Sequence, residues 1–247
     1  MLQVEVGSHR LRASWWMTAL TFAGVLLFAQ LGRWQWHRAV EKRGLAAAFI
    51  AGTAAAPSEL GPRSTATLPR YAPLQVRGTY DPSHQFLLDN MSHSGQTGYE
   101  VLTPFRLEDG RLLLVNRGWV ALPDARRDTL PDIAIPDAGA TRIGGRVDAL
   151  PVTGLDSGRV PPSGDTSWPK RTSFPTAAQL SISLGQAVEP QQLLLGENEP
   201  RGFARDWHSA GAGLGPERHL GYAVQWWGLG ALCLFLYVFM NLERRAS

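Results

Sequence analysis

The chain of 247 residues contains a single cysteine, Cys233. No intramolecular disulfide can form, which excludes a disulfide framework and a multi-cysteine metal site. Catalytic signatures are missing as well. There is no G-x-S-x-G, no P-loop, no H-E-x-x-H and no Rossmann glycine fingerprint, so nothing positive supports an enzyme. The net charge of +3 and the sequence pI of about 9.3 are mildly basic. No Lys/Arg-rich tract with interleaved aromatics accompanies them, so nucleic acid is not an expected partner.

Charge itself is absent from two long stretches. None occurs from Ala13 to Gly32, and none from Leu220 to Leu242. Each is long enough to cross roughly 30 Å of hydrocarbon as a helix. Trp15 and Trp16 flank the first stretch on one side, and Trp34 and Trp36 on the other, as interfacial belts do. The first stretch ends in "AQLGRWQWHR" with no A-x-A site, so it reads as an uncleaved anchor and not a signal peptide. Two spans place both termini on one side of a membrane and the middle of the chain on the other. Arg10, Arg12, Arg244 and Arg245 favour termini inside, whereas Arg33, Arg38, Lys42 and Arg43 pull the other way. Charge alone leaves the orientation open.

The middle is β-rich. "YAPLQVRGTYD" (71–81) and "HQFLLDN" (84–90) read as paired strands across a Pro-containing turn. "GYEVLTPFRL" and "RLLLVNRGWV" flank Asp109-Gly110, a hairpin signal. Residues 142–150 and 187–196 are further strands. "FPTAAQLSISLG" (174–185) has helical spacing and a terminal glycine. "AAAFIAGTAAAPSELGPRSTA" reads as a helix continuing from the first span, followed by a linker. Residues 153–167 read as a loop. The expected fold is therefore an α+β membrane protein. Two terminal transmembrane helices flank one β-rich, antiparallel, barrel-like domain with a short helix.

Chemistry is sparse in that domain. His84, Asp89 and His93 match no ligand spacing and read as strand-end and loop residues. "DWHSAG" (206–211) reads as a loop approaching the membrane. Gly118 permits a bulge or close packing. Arg117, Trp119, Gly78, Tyr80, Asp89 and Asn90 are either structural or part of a partner surface.

The head of the second span is more informative. At about 100° per residue, His219, Tyr222, Ala223, Trp226, Gly230, Cys233 and Tyr237 share one stripe. Its small residues admit another helix or a flat ligand. In the first span, Gln30, Arg33, Trp34, His37 and Glu41 share a face, and antiparallel spans bring its end to the depth of His219. A neutral imidazole there can ligate haem iron, with Tyr222 and Trp226 lining the porphyrin and Arg33 pairing with a propionate. It can equally be an interfacial anchor bonded to backbone or water. The residues leave both readings open.

The motifs "LGRWQWHRAVEK", "GTYDPSHQFLLDN", "GYEVLTPFRLEDGRLLLVNRGWV" and "HLGYAVQWW" occur here in that order. With two terminal spans, the arrangement resembles the SURF1 (Shy1) family of cytochrome c oxidase assembly factors. The stretch 151–173 matches that pattern poorly. The resemblance implies a non-enzymatic role in maturing the haem a-containing core subunit of an aa3-type oxidase. It implies the cell inner membrane, with spans at 13–34 and 218–242, a periplasmic domain at 35–217, and cytoplasmic ends at 1–12 and 243–247. It implies haem a as a transiently bound group with His219 as iron ligand, and nothing comparable carries over firmly to His37; the helix faces complete the expected cofactor site of His219, Tyr222, Trp226, Arg33, Gln30 and His37. The implied partners are the core subunit, membrane lipid and haem a synthase. A cofactor-free membrane chaperone of the core subunit is the alternative.

Overall fold

The computed structural model describes residues 2–6, 9–122, 129–152, 159–208 and 215–244. The chain divides into two compact units. One comprises Met1–Ala47 with Ser209–Ser247, the other Ala48–His208.

The first unit is built on two helices, α1 (Trp15–Ala54), whose last residues belong to the second unit, and α3 (Pro216–Asn241). Both are long and apolar enough to cross a membrane. Forty residues give α1 a length of roughly 60 Å, well beyond a hydrocarbon core. The helix starts where "RASWW" leaves an extended segment, and it runs through "LAAAFIAGTA" because nothing there breaks it. α3 begins at Gly215-Pro216, where proline's fixed φ suits the first helical position. Strands β1 (Leu2–Val6) and β2 (His9–Ala13) form a hairpin, and β11 (Leu242–Arg244) adds to β2. Leu11 pairs with Leu242 and His9 with Arg244, so the two ends of the chain meet in one small sheet.

The second unit is the β-rich domain. Its strands are β3 (Ser58–Glu59), β4 (Pro73–Tyr80), β5 (Phe86–His93), β6 (Gln96–Leu107), β7 (Leu112–Ala121), β8 (Thr141–Ala149), β9 (Lys170–Thr172) and β10 (Val188–Leu195). The order β4-β8-β10-β7-β6 returns to β4 and closes a barrel. Closure leaves few exposed edges. Inside lie Leu74, Val76, Phe105, Leu113, Val115, Ile143, Val147 and Leu193, drawn from alternate strand positions. A second cluster, including Phe86, Leu102 and Leu114, is covered by α2 (Ala177–Leu184) through Leu180.

Local signals are met where they are strong. Gly110 sits at φ 85° in the β6–β7 turn, and α2 carries a Thr176/Gln179 capping box and ends at left-handed Gly185. Two expectations are corrected. The stretches 71–81 and 84–90 do not pair. Instead β4 and β5 lie end to end along one edge of β6, Gly78–Tyr80 against Leu107–Phe105 and then Phe86–His93 against Leu102–Gln96. The segment between them is a jog, not a reversal: Asp81 turns the chain by accepting from Ser83 N and contacting His84 Nδ1 at 2.7 Å. The hairpin partner of β5 is β6 itself, through a tight turn with Ser94 and Gly95 both at positive φ. Nor is the sheet antiparallel throughout. β10 runs parallel to β7, β3 to β4 and β9 to β5. The β7–β10 pair is possible because the chain between them is long enough to cross over through β8, β9 and α2.

Candidate functional site

Within the helical unit, α3 packs on α1 through the stripe that its spacing defines. Ala223 and Gly230 are buried, and so is His219, at 8% exposure. On α1 the facing residues are Gly24, Phe28, Gly32, Gln35 and Ala39, again at helical spacing. Trp226 stacks on Phe28 at 5.8 Å between ring centres. A side chain added at Gly32 would meet the Trp227 indole, and one at Gly24 would sit 3.9 Å from Cys233 Sγ. Tyr237 and Thr18 hydroxyls lie 2.7 Å apart. The small residues thus admit another helix, as they do in membrane bundles.

At the head of α3, His219 Nδ1 lies 2.6 Å from Gln35 Oε1. Two residues earlier, Glu217 accepts from Arg43 Nη2 at 3.0 Å. The charged groups that act on His219 are Lys42 and Arg38, and Arg38 is also paired with Glu41 at 2.7 Å. Of the residues singled out from sequence, His219 and Trp226 lie on the packed face, while Tyr222 is 39% exposed at its margin. Gln30, Arg33 and His37 are exposed, on the side of α1 away from its buried face. They do not meet His219. Gln35, Arg38 and Lys42 were missed by a search for polar residues sharing one face of α1. The usable signal was the small-residue row Gly24, Gly32 and Ala39, which marks the packing face and carries Gln35 with it.

The barrel unit holds no cluster of three or more His, Cys, Asp or Glu side chains placed for a metal, among the described residues. His84 pairs with Asp81, and His93 Nε2 lies 3.4 Å from Asp206. These two histidines support loops and do not converge. Residues 209–211 of "DWHSAG", residues 153–158 of the expected loop and the Asn90 side chain lie outside the described residues. Arg117 is buried and structural. It donates from Nε to Arg201 O at 2.7 Å, and from Nη1 to Gln85 Oε1 at 3.0 Å and Ile133 O at 2.9 Å. Burial brings its pKa down to about 10, and none of the groups acting on it is a carboxylate. Trp119 is partly buried and donates from Nε1 to Met91 O at 3.2 Å. Gly118, at φ 106°, lets the chain at Ala204 approach closely enough to bond to Trp119.

The sequence profile of the SURF1 family matches residues 22–231, spanning parts of both helices and all of the barrel. The chain belongs to the SURF1 family. It is also 26% identical over 259 aligned positions to a "SURF1-like protein" of Monosiga brevicollis, covering 96% of this chain and 91% of that protein. The SURF1 family is one of cytochrome oxidase assembly factors and not of enzymes. The match takes in the whole α1–α3 contact around His219 as well as the β6–β7 hairpin.

Proposed function

We propose that this SURF1-family protein is a membrane-anchored assembly factor for an aa3-type cytochrome c oxidase. It holds haem a as cargo at the head of α3 and assists its insertion into the core subunit. The observation that carries this reading is the family match running through both apolar helices, with a histidine at the start of the second. The donor set fits the cargo. His219 supplies an imidazole, Tyr222 and Trp226 supply aromatic surface, and Arg38 and Lys42 supply cationic groups for propionates. Holding by a single protein side chain would suit transfer better than permanent retention.

Both helices cross the inner membrane in this reading. Their outward side chains support it. Leu20, Phe22, Phe235, Phe239 and Met240 are exposed, whereas the inward faces carry glycine, alanine and hydroxyls. In water such an exterior is an aggregation surface; in lipid it is the expected one. The barrel then lies on the outer, periplasmic side and docks on the core subunit, with haem a synthase as the source of the cargo.

A cofactor-free scaffold is the second reading. It is favoured by the closeness of α3 to α1, since Ala223 and Gly230 are spent on helix contact and leave no gap for a porphyrin between them. In cells lacking this factor, wild type should restore the haem a content of the oxidase, and His219→Ala should restore much less at equal protein level. Full restoration by His219→Ala would favour the scaffold.

A further inference from the structure

We infer that Gln35 is a positioning residue for His219, holding its ring as the Nδ1–H tautomer so that Nε2 presents its lone pair to the cargo iron. The inference rests on the haem-carrier reading above and adds to it which nitrogen binds and what selects it.

The geometry is specific. Gln35 Oε1 lies 2.6 Å from His219 Nδ1. With Gln35 Oε1 as the acceptor, this contact selects the ring tautomer protonated at Nδ1. In a neutral imidazole the other nitrogen is then the acceptor and the ligand atom. Neither residue is free to wander. Gln35 is partly buried on the packed face of α1, one helical turn from buried Ala39, and His219 is 8% exposed. A hydrogen bond to the far nitrogen of a ligating histidine fixes ring orientation and raises basicity, and losing such a partner typically costs about 10–100-fold in affinity.

The test has one arm without haem and one with it. In haem-free, ¹⁵N-histidine-labelled full-length protein, the shifts of His219 should report Nδ1 protonated and Nε2 bare. Gln35→Leu should move the ring towards the other tautomer. In protein purified with haem a, Gln35→Leu should weaken retention about 10–100-fold. Gln35→Glu, whose carboxylate also accepts, should keep the haem and raise the ferrous iron–histidine stretching frequency relative to wild type. That last shift is read on the loaded fraction and does not depend on yield. An Nε2-protonated ring in the wild type, or a stretching frequency and retention indifferent to Gln35, overturns the inference while leaving His219 as ligand. Haem retention indifferent to His219→Gly overturns His219 as the ligand, and wild type that holds no haem overturns the carrier reading.

Discussion

Arg117 shows how a single residue ties distant segments together. Its guanidinium reaches three acceptors on three segments: the jog between β4 and β5 at Gln85, the segment preceding β8 at Ile133, and the segment following β10 at Arg201. It also lies over the Phe203 ring at 4.8 Å. From sequence it read as either structural or a partner surface, because "VNRGW" shows a strand but not what its neighbours are. Removing it leaves Arg201 O without its donor, whereas Gln85 Oε1 keeps Thr103 and Ile133 O keeps Gln85 Nε2. Arg117→Leu should therefore cost about 3 kcal/mol, through the stranded carbonyl and the lost charge-assisted bonds. Arg117→Lys should recover only part, since an ammonium cannot span the fork. Denaturation of the purified full-length protein checks both. Glu100 gives a prediction in pH. Burial raises its pKa above the usual 4.5, against the Asn116 hydrogen bond that lowers it. A raised folded pKa means stability present at low pH and lost as pH rises through the folded value. Glu100→Gln should thus stabilise the protein at neutral pH, with the gain fading as pH falls through the raised folded value and gone below the ordinary carboxylate range. A gain that grows in acid would contradict the assignment.

At the scale of elements, what was legible followed from local chemistry. The Asp109-Gly110 turn, the capped helix α2 and the strand positions need only neighbouring residues to specify them. The pairing of β4 with β8 and the parallel β7–β10 ladder are specified by residues far apart, and no short stretch encodes them. Proximity therefore suggested a β4–β5 hairpin that the Asp81 turn does not make. The small sheet joining β1, β2 and β11 went unseen for the same reason. On the helices, the 100° period gave the α3 stripe correctly. Its partner on α1 was sought among polar residues, whereas helices in lipid pack through their small ones. This packing is testable with the protein's own thiol. Gly24→Cys should form an intrachain disulfide with Cys233 under mild oxidation, because the added Cβ sits 3.9 Å from Sγ. Only intermolecular dimers, or no product, would mean that the faces do not meet as described.

For the whole molecule, a closed barrel and two apolar helices divide the labour. The barrel offers a closed body with no cluster of three or more His, Cys, Asp or Glu side chains placed for a metal among its described residues. The helix pair carries the one histidine that is buried among the described residues, bonded to an amide and near cations. The haem-carrier role proposed above would depend on that imidazole more than on any barrel side chain. The absorption spectrum of the full-length protein, purified from cells that make haem a, tests this most directly. Wild type should show bound haem a, and His219→Gly, inserted to the same level, should lose most of it. Equal haem in both, or none in wild type, would contradict the account.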